Sequence, residues 1–170
     1  MTRRIAVPAD RRFLAGWAVV VGAAVIVALV AGVLALRGGK DESGERAAVE
    51  HAAATAAEAL MTFTPADDPA RRTATSSQLA GVLAADYEAR GPDVVFPGAT
   101  ASRITMSVKV LDVGVTDLRP DDARALLFVD QTIRVGDDPE PETVGVARWA
   151  TMRRIGGLWR LARLEPVSPQ

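Results

Sequence analysis

The sequence predicts an α+β protein: a transmembrane helix followed by an exported domain, in which N-terminal helices pack on a bent antiparallel sheet of about four long strands. Three observations support this fold class. The run from Phe13 to Leu36 carries no charged residue, apolar residues then recur at helical spacing as far as Phe63, and beyond Gly98 the period changes to two. Helix-period segments followed by strand-period segments are typical of the α+β class.

The first element is the apolar run of 24 residues from Phe13 to Leu36. As a helix it would be about 36 Å long, and a hydrocarbon core is about 30 Å thick. A cleaved signal peptide is the alternative, but its apolar region is usually about 7–15 residues long. We therefore expect an uncleaved anchor. Four arginines precede it and favour a cytoplasmic N-terminus: Arg3, Arg4, Arg11 and Arg12.

This topology divides the chain into a cytoplasmic tail (1–12), a transmembrane helix (13–36), a glycine-rich tether (37–44) and an exported domain (45–170). The predicted localisation is the cytoplasmic membrane, with the C-terminal domain outside. The exported part has 14 basic and 18 acidic residues and no basic run, which argues against a nucleic-acid partner. The chain has no cysteine, so disulfides and cysteine-based metal or thiol chemistry are excluded.

Two helices are predicted next. The first runs from about Glu45 to Phe63 and ends at Thr64-Pro65. Its apolar stripe is formed by Val49, Ala53, Ala56, Leu60 and Phe63. The second is predicted from about Ser76 to Ala89, with Ser76 and Ser77 as an N-cap pair and Gly91-Pro92 after its end.

Four strands follow. The first alternates from Ile104 to Val110, and its apolar phase then shifts to Leu111, Val113 and Val115, which predicts a β-bulge and a bend. The second covers about Ala125 to Val135 and the third about Thr143 to Ile155. Gly156-Gly157 predicts a hairpin turn into the fourth strand, which begins at Leu158.

Several segments resemble one known family. They are the anchor, Phe63-Thr64-Pro65-Ala66-Asp67, Ala85-Asp86-Tyr87 and Gly157-Leu158-Trp159-Arg160-Leu161. With these, the chain resembles the actinobacterial Mce-associated membrane proteins. The resemblance implies an exported domain shaped as a nuclear-transport-factor-2-like (NTF2-like) cone, and a non-enzymatic accessory role beside the components of an Mce-type lipid import system. The segment from Gln78 to Val82 departs from the turn expected there, which leaves the helix boundary near Gly81 open.

Two other functions fit the same layout. Secretion subunits of the VirB8 kind also pair one N-terminal anchor with a similar exported cone, so the chain could be a scaffold of a secretion or conjugation channel. A cone cavity could also bind a small molecule. The sequence does not specify the oligomeric state.

Chemistry-bearing motifs are scarce. The single histidine, His51, lies on the predicted solvent face of the first helix, so we expect it to be exposed and not catalytic. The pairs Asp67-Asp68, Asp121-Asp122 and Asp137-Asp138 lie in predicted turns and lack the alternating oxygens of a calcium loop. No catalytic, cofactor-binding or metal-binding residue is predicted.

The remaining candidates lie on the last two strands. Trp149 and Trp159 face either the core or an open face, and core packing is favoured. Five arginines accompany them: Arg148, Arg153, Arg154, Arg160 and Arg163. They form either a solvated outer face or a candidate docking surface for an acidic partner or lipid headgroups.

Overall fold

The computed structural model describes residues 42–66, 68–137 and 140–167. By its internal contacts the chain divides into two units, Met1–Gly44 and Glu45–Gln170. Within the described residues, no helix is long and apolar enough to cross a membrane. The predicted tail and anchor lie outside the described residues, and so does the tether as far as residue 41.

In the part of the chain that the structure describes, the order of elements is three α-helices, a 3₁₀-helix and four strands. The helices are α1 (42–61), α2 (Pro69–Ser76), α3 (Gly81–Arg90) and the 3₁₀-helix Gly91–Val94. The strands are β1 (Ile104–Leu118), β2 (Asp122–Val135), β3 (Glu142–Ile155) and β4 (Leu158–Pro166). They pair antiparallel in the order β1-β2-β3-β4. The predicted fold class is confirmed: helices pack on a four-stranded antiparallel sheet, as in the NTF2-like cone.

The single second helix predicted from Ser76 to Ala89 is wrong, because two helices occupy this region. The Asp68 side chain accepts a hydrogen bond from the Ala70 backbone N–H, and Pro69 opens α2. A proline is well suited to the first helical turn, where its missing N–H leaves nothing unpaired. Ser76 is consequently the last residue of α2, and Ser77 is its C-cap and not part of an N-cap pair.

The break between α2 and α3 lies at Leu79 and Ala80. Here the backbone forms a bridge to β4: the Ala80 N–H donates to the Leu161 carbonyl at 2.9 Å, and the Leu161 N–H donates to the Gln78 carbonyl at 2.9 Å. These bonds fill part of the free edge of β4, which a continuous helix would leave unpaired. The boundary that the sequence left open near Gly81 is therefore the start of α3.

The other edge of the sheet is covered by the end of α1. Phe63 and Met106 exchange two backbone hydrogen bonds, so α1 ends at residue 61 and not at Phe63. The Glu58 carboxylate accepts from the Val110 N–H at 2.8 Å, and the Thr62 hydroxyl accepts from the Val108 N–H at 3.0 Å. Side chains of α1 and of the residue that follows it thus pair donors of β1 that would otherwise be exposed.

The predicted bulge in β1 is present. The register of β1 on β2 shifts between Val110 and Asp112, where Leu111 is 56% exposed. Two further shifts, between Val115 and Asp117 and between Thr151 and Met152, were not predicted. Gly156 and Gly157 have φ angles of 60° and 82°, as a type I′ hairpin turn requires.

The core lies between the helices and one face of the sheet, which we call the inner face. Its largest fully buried side chains include Leu60 and Met61 of α1, together with Leu127, Met152 and Leu161 of the strands. The opposite face, the outer face, carries the alternate residues of each strand.

Candidate protein-docking surface

The two faces of the sheet separate the five arginines that the sequence groups together. Along β3, Ala150 and Met152 are buried on the inner face. Arg148 and Arg154 share that face because side chains two residues apart point to the same side of a strand. Arg153 lies on the outer face, where it is paired across the strands with Arg160, and Arg163 lies opposite Thr151 on the same face. The candidate surface therefore holds three of the five arginines.

The outer arginines are held by weak, exposed contacts. The Arg153 Nε lies 3.3 Å from Asp122 Oδ1, and the Arg163 Nη1 lies 3.5 Å from Glu165 Oε1. The Arg160 side chain makes no hydrogen bond or ion pair within the residues that the structure describes. Exposed ion pairs contribute at most about 1 kcal/mol each, so these guanidinium groups can exchange their carboxylates for those of a partner.

An aromatic and apolar patch lies beside these arginines. We call it the outer patch, and it consists of Leu111, Arg124, Leu126, Phe128 and Trp149. The Arg124 guanidinium carbon lies 4.2 Å from the centroid of the Trp149 ring, a cation–π contact. Leu126 is directly opposite Trp149 on the neighbouring strand, and Phe128 is 47% exposed.

A groove continues this surface past the edge of β4. It has a volume of about 540 Å³ and lies between the start of α3 and the last two strands. Val82, Asp86, Arg153 and Arg163 are among its lining residues, and Val82 is 77% exposed. The outer surface thus combines exposed apolar side chains with both signs of charge.

Arg154 has a different role, because it lies on the inner face. Its Nη2 is 3.2 Å from Glu45 Oε1, and the Trp159 indole N–H donates to Glu45 Oε2 at 3.1 Å. The Arg154 guanidinium also lies 5.7 Å from the Trp159 ring centroid. This three-residue contact fixes the start of α1 against the β3–β4 hairpin. Trp159 is partly buried against the core, as favoured, whereas Trp149 faces outward.

Arg148 lines a small cavity on the inner face, among apolar residues of the helices. Burial lowers the pKa of its guanidinium from the ordinary value. It therefore does not belong to the outer surface.

The structure also places His51 and the described members of the aspartate pairs, of which Asp122 begins β2 and does not lie in a turn. His51 is exposed on α1, and its backbone carbonyl accepts a hydrogen bond from the Thr55 hydroxyl. Asp122 pairs with Arg153 and Asp137 with Arg103, while Asp67 and Asp138 lie outside the described residues. Within the described ranges no three His, Cys, Asp or Glu side chains are grouped so that they could hold a metal ion.

Sequence reasoning missed Arg124, Leu126 and Phe128 as members of the surface. The alternation of β2 carries the missing signal. Ala125, Leu127 and Val129 are buried, so the residues between them must face outward. The pairing of Leu126 with Trp149 and the contact of Arg124 with the Trp149 ring could not be predicted, since both depend on the register of two strands.

The fold and this surface define a class of protein: an NTF2-like α+β domain with an exposed aromatic and basic sheet face. Comparison with known proteins identifies the family. The chain is 31% identical over 148 residues to "Outer membrane protein Rv1973" of Mycobacterium tuberculosis, a match that covers 86% of this chain and 92% of the relative. The chain belongs to the family of that protein.

A second relative and a solved structure also match the chain. "Uncharacterized protein Rv1362c" of Mycobacterium tuberculosis is 30% identical over 127 residues, and the match spans 75% of this chain but only 57% of that relative. Among solved structures, an IcmL-like type IV secretion system protein of Legionella pneumophila superposes with a TM-score of 0.57 at 13% identity, covering 74% of this chain and 95% of that one. No protein-family model matches the chain.

Proposed function

We propose that this protein is a non-enzymatic scaffold of the cell envelope, anchored by a single transmembrane helix, whose cone domain binds partner proteins through the outer face of its sheet. The observation that carries the proposal is the outer patch, where Trp149 stacks under Arg124 beside exposed Phe128. Tryptophan and arginine are the residue types most enriched at the energetic centres of protein interfaces.

The arrangement of the patch suits binding. The Arg124 side chain lies over the indole ring before any partner arrives, so less side-chain entropy is lost on association. The arginines around it would form a charged rim, and rim charges mainly speed association and select the partner. A tethered domain also needs little affinity, because attachment to the membrane raises its effective concentration near other envelope proteins.

Two finer assignments follow from different observations. The sequence motifs favour an accessory protein of an Mce-type lipid import system. The alternative is a VirB8-like scaffold subunit of a secretion channel, supported by the likeness of the fold to the IcmL-like secretion protein. The name of the family member Rv1973, an outer membrane protein, supports a place in the envelope for either role.

The test is affinity capture from membranes of cells that express a tagged full-length chain. Trp149→Ala should reduce the recovered partner at least tenfold, since it removes the centre of the patch. Val135→Ala is the matched control, because Val135 is 54% exposed at the far end of β2. Equal recovery by the wild type and Trp149→Ala would refute docking at this face. A captured lipid-importer permease would favour the first assignment, and a captured secretion ATPase the second.

The proposed topology has its own test. A C-terminal tag on the full chain should be removed by protease added to intact protoplasts, because residues 45–170 are expected outside the membrane. Protection of the tag would contradict export, and a mature N-terminus near Leu36 would contradict an uncleaved anchor.

A further inference from the structure

A cavity of about 130 Å³ lies on the inner face of the sheet, away from the proposed docking surface. It is enclosed by the end of α1, by α3, by the residues at the end of the 3₁₀-helix and by the last two strands. Its lining residues are Leu60, Met61, Leu83, Val94, Val95, Arg148, Leu164 and Pro166. Seven of these eight described residues have apolar side chains, and the guanidinium of Arg148 is the one charged group among them.

Among the described residues, that guanidinium has no partner. The Arg148 side chain makes no hydrogen bond and no ion pair with the described part of the chain, in contrast to the side chains of Arg153, Arg154 and Arg163. Burial lowers its pKa, and no described carboxylate is paired with it to act in the opposite direction. A cation that loses solvation without gaining a counter-ion is unfavourable for folding. Such arrangements occur where a protein reserves a group for a ligand.

We propose that this cavity binds a small amphipathic carboxylate, whose carboxylate group pairs with Arg148 and whose hydrocarbon part lies against the apolar wall. An arginine presents parallel N–H donors that match the two oxygens of a carboxylate. One cation balances one negative charge. A phosphate, with more charge and more acceptors, would need further cationic donors, and Arg148 is the one cation among the described lining residues.

The size of the cavity limits the hydrocarbon part. An apolar cavity of about 150 Å³ accommodates benzene, which has six carbons. The ligand that fits this cavity is therefore an acid of about six carbons. Leu60, Met61 and Leu83 would contact its chain, and Arg148 its carboxylate. This inference goes beyond the proposed scaffold function and does not depend on it, since the two use opposite faces of the sheet.

The experiment is a calorimetric titration of the full chain, held in nanodiscs of neutral phosphatidylcholine, with hexanoate, hexanamide and acetate. Hexanamide keeps the size and removes the charge, while acetate keeps the charge and removes the chain. We expect hexanoate to bind at least tenfold more tightly than either. In Arg148→Met the affinity for hexanoate should fall at least tenfold, and the preference for hexanoate over hexanamide should disappear.

Arg153→Met is the matched control, because it removes an arginine of the same strand from the outer face and should leave binding of hexanoate unchanged. Several results would overturn the proposal: no binding of hexanoate, equal binding of hexanamide by the wild type, or an equal loss in both arginine variants. Inorganic phosphate that binds as tightly as hexanoate would show a general anion site and would also overturn the proposal. The comparison of hexanoate with hexanamide uses the wild type and stands even if Arg148→Met fails to fold.

Discussion

The inner and outer faces of β3 and β4 carry arginines from the same short stretch of sequence, yet the two faces use them differently. On the inner face, Arg154 is fixed by Glu45 and Trp159, and Arg148 lies unpaired at a cavity wall among the described residues. On the outer face, Arg153 and Arg163 hold exposed carboxylates of neighbouring residues. Alternation along a strand, and not proximity in sequence, decides which arginines can act together.

The difference extends to the two tryptophans. Trp159 donates a hydrogen bond to Glu45 and packs against the core, so it holds α1 to the sheet. Trp149 lies under Arg124 on the outer face, on the side of the sheet away from the described helices. A tryptophan in a strand can pack in the core or bind a partner. The face of the sheet on which it lies decides between these two roles.

The strongest test of the difference between the two faces is to truncate two adjacent residues of β2. Leu127 is fully buried on the inner face, and Phe128 is 47% exposed on the outer face. Leu127→Ala should lower the free energy of unfolding by about 3 kcal/mol, as a cavity in a packed core does. Phe128→Ala removes a larger side chain and should cost less than about 1 kcal/mol. Urea unfolding followed by circular dichroism measures both; similar losses would contradict the assignment of the faces.

The tryptophans give the next largest effect. Trp159→Ala removes a partly buried ring and the donor to Glu45, so a loss of about 2 kcal/mol is expected, below the ~3–5 kcal/mol of a fully buried aromatic residue. Trp149→Ala should cost less than about 1 kcal/mol while reducing partner capture. If Trp149→Ala were the more destabilising of the two, the outer patch would be structural and the docking proposal would fail.

Much of the fold is predictable from the sequence because it depends on local periodicity. The alternation from Ile104 onward predicts the four strands, and the shift of phase at Leu111 predicts the bulge that the register confirms. Gly156-Gly157 predicts a turn that needs positive φ. The break between α2 and α3 was missed because its cause is not local. It requires Leu161, 82 residues after Leu79, to offer a free strand edge.

The candidate surface was less predictable for the same reason. The arginines can be read from the sequence, but their division between faces depends on which set of alternate residues of β3 faces the helices. The sequence does not decide whether Ala150 and Met152 or Trp149 and Arg153 form that set, since alanine and methionine are found in many environments. Only the packing of Met152 into the core settles that Trp149 faces outward.

A smaller effect distinguishes the two inner arginines from each other. Arg154→Met breaks the ion pair with Glu45. The Arg154 and Glu45 side chains are 35% and 39% exposed, so the free energy of unfolding should fall by at most about 1 kcal/mol. Arg148→Met removes an unpaired, partly desolvated cation, so the melting temperature should stay the same or rise slightly. Thermal unfolding of the two variants side by side tests the contrast. A clear loss in Arg148→Met would mean that the guanidinium stabilises the fold.

The smallest effect is expected at His51, which is exposed on α1 two residues before a fully buried alanine. His51→Ala should change the free energy of unfolding by less than about 0.5 kcal/mol and leave partner capture unchanged, as exposed substitutions usually do. The matched control is Ala53→His, which places an imidazole on the buried stripe of the same helix. There the ring must displace core side chains, and overpacking costs about 1–3 kcal/mol before the unpaired polar nitrogens add to it. If His51→Ala reduced partner capture while the free energy of unfolding stayed the same, His51 would belong to the functional site and the expectation that it is inert would be wrong.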